Sequence, residues 1–159
     1  MTKASDIFDE NGRRLVQLFE DILAGLPAGV AILEARRTRD DRGTIVWLRP
    51  ANRESAEFSA HTEDGYALVD VSFGRGTTFE LPWEAKLPND ASFEMILEAV
   101  KAIALAVIAG KCEDRLGLLS ITGVIRVDEK QVLKVRDCLH PNLHPRVVRY
   151  APYYSVVEE

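Results

Sequence analysis

The residues best equipped for chemistry lie near the end of the chain, in the stretch CLHPNLH. Cys138, His140 and His144 fall within seven residues there. Thiolate and imidazole are the ligands zinc prefers, and Cys112 could complete a tetrahedral set. The spacing is not that of a zinc finger, because no CxxC pair is present. The HEXXH pattern is absent too, since Pro141 breaks the helix that would align His140 with His144. Cys138 and His140 also have the residue types of a cysteine-based enzyme, but no GxSxG elbow or other nucleophile motif accompanies them. The plain reading is a Pro- and His-containing connector in which Cys138 is a small buried hydrophobe. Cys138, His140 and His144 stand as metal candidates, and the sequence assigns no cofactor.

A second stretch, GRGTT at residues 74–78, raises the question of phosphate binding. A Walker loop needs GxxxxGK[ST] between a strand and a helix, and this segment lacks both the lysine and the spacing. The third glycine of the dinucleotide fingerprint is missing as well. Alternating apolar residues follow it, so it reads as a tight turn between two strands.

The C-terminal segment PRVVRYAPYYSVV combines Arg146 and Arg149 with Tyr150, Tyr153 and Tyr154. With Arg126, Lys134 and Arg136 these residues suggest a basic, aromatic surface. Tyrosine and arginine are enriched at protein interfaces, and tyrosine also stacks on nucleic-acid bases. The bland alternative packs the tyrosines at the end of a sheet and leaves the arginines in water. We take the five residues as a candidate protein-binding site. The acidic total charge speaks against nucleic acid: 25 Asp and Glu oppose 20 Lys and Arg, for a net −5. The same balance disfavours an anionic membrane surface and suits a basic partner. Acidic residues recur at Glu54 and Glu57, Glu63 and Asp64, Glu80 and Glu84, and Glu113 and Asp114. Such residues are ordinarily solvated, but where several converge they attract a basic protein. Trp47 and Trp83 are candidate anchors if exposed.

These residues need elements to position them. The chain of 159 residues is the length of one domain, residues 1–159, with short flexible ends expected at about 1–5 and 155–159. Two cysteines are too few for a disulfide scaffold. The start of the chain has no apolar secretory core, and AIALAVIA, residues 102–109, is far shorter than a bilayer span. A cytoplasmic location follows as the expectation. Residues 6–24 read as an amphipathic helix, with Leu15, Phe19 and Ile22 on one face, a cap at Ser5 or Asp6, and a left-handed stop at Gly25. Gly12 weakens its first turns. Strands are expected at 29–35, 44–48, 56–60, 67–73 and 79–81. A largely buried helix follows at 91–109, capped by Asp90. The last strands fall at 118–127, 132–135 and 147–150.

Strand runs separated by single helices predict an α+β fold. It has a mostly antiparallel sheet, the N-terminal amphipathic helix, and the long buried helix packed on the sheet. The functional expectation is a small acidic binding protein that works through a protein–protein interface, in the manner of an immunity or antitoxin-type inhibitor. The alternative is a small metal-dependent or cysteine-based enzyme built on the 138–144 loop. A homo-oligomer paired through an edge strand or the Ala-rich helix is a further reading.

Overall fold

The computed structural model describes residues 7–75, 77–117, 120–137 and 146–155. Among them, two helices and nine antiparallel strands make an α+β fold, and the strands divide into two sheets rather than one.

Helix α1 spans Glu10–Ala24. Its cap is Asp9, later than expected, whose side chain accepts from the Gly12 N–H at 2.7 Å. Leu15, Phe19 and Ile22 are buried at intervals of four and three. Gly12 is there for contact rather than flexibility. A Cβ at this position would run into the Thr44 side chain and lie 2.9 Å from Asp9 Oδ1. Gly25 closes the helix with right-handed dihedrals, φ −82°, and the left-handed residue is Gly29, φ 79°.

The first sheet is a meander of β1 (Ala31–Arg37), β2 (Gly43–Pro50), β3 (Phe58–Glu63), β4 (Val69–Phe73) and β5 (Thr77–Leu81). Strict alternation sends Val46, Leu48, Phe58, Ala60, Val69, Val71, Phe73, Phe79 and Leu81 to one face, all buried. Helix α1 packs on that face, with Phe19 stacked on Phe58 at 5.6 Å. Beside it lies α2 (Phe93–Ile108), capped by Ser92 rather than Asp90. Ile96, Val100, Ile103, Ala104 and Val107 are buried along α2. No helix among the described residues is long and apolar enough to cross a membrane.

The second sheet, in order β8-β7-β6-β9, comprises β6 (Cys112–Leu116), β7 (Ile121–Arg126), β8 (Val132–Asp137) and β9 (Arg146–Arg149). Cys112, Ile125 and Leu133 sit opposite one another and join the same core as the helices. Strand β6 was not foreseen. Its sequence, CEDRL, has no apolar alternation, because two of its buried residues are the carboxylates Glu113 and Asp114.

Candidate functional site

The face of the first sheet away from the helices is open to solvent. Strand register sets Arg36, Ile45, His61, Asp70 and Glu80 in one row across all five strands. The next row is Glu34, Trp47, Ser59, Ser72 and Thr78. Trp47 lies between two guanidinium groups, with Arg36 Cζ 4.7 Å and Arg49 Cζ 5.7 Å from the ring centre. Both contacts are within cation–π range and hold the indole in place on the sheet. Arg49 is fixed in turn by Glu34 at 2.9 Å and Glu57 at 3.1 Å. Ile32, 68% exposed, extends the apolar patch at the edge strand. Glu34, Glu57, Glu63, Asp70 and Glu80 lie on this face against Arg36 and Arg49, so it is acidic. The Asp70 carboxylate, 3.8 Å from His61 Nδ1, raises the imidazole pKa above its ordinary value, against the opposing effect of partial burial.

The outer face of the second sheet has the opposite sign. One row runs Lys134, Val124, Glu113, Arg149, and the next holds Arg115 beside Thr122. Arg126, beside Val132, continues the face toward Lys111, whose carbonyl accepts from the Arg126 N–H. Glu113 is a buried carboxylate amid these cations. Burial pushes its pKa up, but the hydrogen bonds from Arg115 and the charges of Arg115, Arg126 and Arg149 outweigh that and leave it lowered.

The two sheets meet at Asp114. This carboxylate is fully buried, and its Oδ2 accepts from the Arg75 backbone N–H at 2.9 Å and from the Tyr150 hydroxyl at 2.5 Å. Its Oδ1 has no partner among the described residues. Gly74, φ 59°, leaves room for this junction: a Cβ there would collide with Tyr150 and lie 2.6 Å from Asp114 Oδ2. The β4–β5 connection is therefore a turn, as its sequence indicates, and it is bolted to the second sheet by a carboxylate. The sequence reading had placed Glu113 and Asp114 among the solvated acids. Both are buried, and no spacing signal marked them out, because both faces of β6 are covered there.

Of the five residues named from the C-terminal segment, Arg146 and Arg149 are exposed. Tyr150 is half buried, edge-on to Phe73 at 6.2 Å. Tyr153 is buried, and its hydroxyl donates to the carbonyls of Ala56 (2.8 Å) and Leu48 (3.2 Å), so it serves the core. Tyr154 lines an apolar groove of about 720 Å³ between the C-terminal ends of the two helices, with Leu18, Ile22 and Leu105. The tyrosines do not form one aromatic surface. Arg126, Lys134 and Arg149 do share a face. Trp83 is exposed, whereas Trp47 is half buried on the acidic sheet.

Cys138, His140 and His144 lie outside the described residues, and among the described ones no His, Cys, Asp or Glu cluster has metal-binding geometry. Burial, with Asp114 and Glu113 nearby, pushes the Cys112 thiol up to about 12, which keeps it protonated and poorly nucleophilic. Comparison with protein-family models, curated proteins and solved structures found no match for this chain.

Proposed function

We propose that this chain is a binding protein whose open acidic sheet face docks the basic surface of another protein. The carrying observation is Trp47, with the Arg36 and Arg49 guanidinium groups on its ring, on a solvent-open sheet face that carries five carboxylates. An aromatic anchor with arginines beside it is the composition of interface hot spots, and a charged rim steers the partner and sets its orientation. A rigid sheet needs little ordering on association, which lowers the cost of binding. Inhibition of a basic toxin-like enzyme, as immunity proteins perform it, is the specific form of this reading, resting on the acidic face.

The test is capture of partners from a lysate of the source cells with the wild-type protein and with Trp47→Ala and Asp70→Asn/Glu80→Gln variants. The reading expects one stoichiometric basic partner, retained by the wild type and lost by both variants. Equal recovery by all three proteins would remove the sheet face from the binding role.

A further inference from the structure

Several arginines of this protein have carboxylate partners. Arg14 pairs with Glu94, Arg37 with Asp41 and Asp64, Arg49 with Glu34 and Glu57, and Arg115 with Glu113. Among the cations that make no ion pair within the described residues, Arg53, Arg75, Lys111 and Arg126 border one region. Arg53 and Arg75 line a cleft of about 680 Å³ together with Arg149, Tyr150 and Glu54. Lys111 and Arg126 line a depression of about 200 Å³ that also contains Arg149 and Glu113. Arg149 belongs to both and joins them into a trough. Its only ion pair among the described residues is a long one, 3.5 Å to Glu113 Oε2, and its side chain is 83% exposed.

Two features give the trough a built floor. The Arg75 backbone is pinned by buried Asp114, so the base of that side chain is fixed over the cleft. Tyr150, which forms one wall, is held by the same carboxylate. Burial and that hydrogen bond push the phenol pKa well up, so Tyr150 is neutral and adds no negative charge. Ala151 is tied by its N–H to the Glu54 carbonyl at 3.0 Å, which holds the β2–β3 connection against the segment after β9. Five cations line the two depressions with Glu54 and Glu113, and the Asp114 carboxylate lies beneath Arg75 and Tyr150, which leaves an excess of about two positive charges in a protein that is acidic as a whole.

We propose that this trough binds a small ligand through a diphosphate group. Arginine and lysine are the side chains that recognise phosphoryl oxygens, and a diphosphate carries about three negative charges near neutrality. Two depressions sharing Arg149 match two linked phosphoryl groups better than one. Among the described residues the only aromatic side chain lining it is half-buried Tyr150, edge-on to Phe73, which sets it apart from a single-strand nucleic-acid groove with exposed stacking platforms.

The test uses the full-length protein at low ionic strength, titrated with inorganic pyrophosphate, orthophosphate and acetate and followed by amide chemical shifts and calorimetry. The expected result is saturable pyrophosphate binding at least ten times tighter than orthophosphate, with the largest shifts at Arg75 and Arg149. Arg149→Gln weakens it at least tenfold, because it removes the residue common to both depressions. Glu54→Gln tightens it. These side chains are exposed, so each variant keeps its fold, checked by unchanged thermal melting. A methyl diphosphate that binds as tightly as pyrophosphate identifies the group as one carried by an ester; loss of affinity with the methyl group identifies the free ion, and both support the site. No saturable binding, equal affinity for acetate, or an affinity unchanged by Arg149→Gln would overturn the proposal.

Discussion

At the scale of single residues, the structure turns on buried polar groups that cannot be removed singly. Gly74→Ala places a methyl group against Tyr150 and Asp114 at a positive φ. It should destabilise the fold by roughly 1–3 kcal/mol in denaturant unfolding. Tyr150→Phe leaves Asp114 with a single donor among the described residues and should cost about 1–2 kcal/mol. The double variant should cost less than the sum, because the phenylalanine removes the oxygen that the new methyl meets. Full additivity would show that the two residues are not coupled through this contact. His61 gives a pH signature. Its raised pKa means that the protonated ring is favoured by folding, so the stabilisation is complete below about pH 6.5 and disappears as pH rises through the folded-state value. The melting temperature of the wild type should exceed that of His61→Gln at pH 5.5 and converge with it by about pH 9. The pair is partly exposed, so the difference at low pH should be under about 1 kcal/mol. The same protonation adds a positive charge near Asp70, Glu63 and Asp40, and should weaken capture of a basic partner at low pH.

At the scale of elements, α1 and α2 show what a sequence can and cannot carry. The periodicity of Leu15, Phe19 and Ile22 located the first helix, because burial of one face leaves a 3.6-residue trace. Its cap is Asp9 rather than Ser5 or Asp6, because each of these side chains can accept a first-turn N–H and the local sequence does not choose among them. Gly12 read as a helix weakener and is a contact residue. Gly12→Ala would gain up to about 1 kcal/mol of helix propensity but force β2 and α1 apart. We expect net destabilisation of about 1–2 kcal/mol, measured by urea unfolding, where an exposed helical glycine would show the opposite sign. Strands β3, β4 and β5 were legible through alternation, and β1 and β2 as short apolar, partly β-branched runs. Strand β6 was not, because its polar residues are buried by partners far away in the chain, and a pattern of burial that depends on partners leaves no local period.

For the whole molecule, the net charge of −5 conceals a segregation. The carboxylates of Glu34, Glu57, Glu63, Asp70 and Glu80 gather on one sheet, and Arg115, Arg126, Lys134 and Arg149 on the other. Composition reports only the sum, so the sequence suggested acid patches and a basic segment without giving their separation. The tyrosines illustrate the same limit. Tyr153 is buried with its hydroxyl on the carbonyls of Leu48 and Ala56, about a hundred residues away in the chain, and nothing near it signals that burial. Charge segregation predicts that association with a basic partner is steered and slows about tenfold or more between low and high salt, measured by stopped flow. A rate indifferent to salt would place the contact elsewhere.

The most direct measurement is the affinity of the captured partner for Trp47→Ala, compared with wild type and with Arg53→Gln as a control on the basic trough. The account predicts a loss of about 2 kcal/mol, near thirtyfold in Kd, for Trp47→Ala and no change for Arg53→Gln. An unchanged Kd for Trp47→Ala would contradict the assignment of the acidic sheet face as the docking surface.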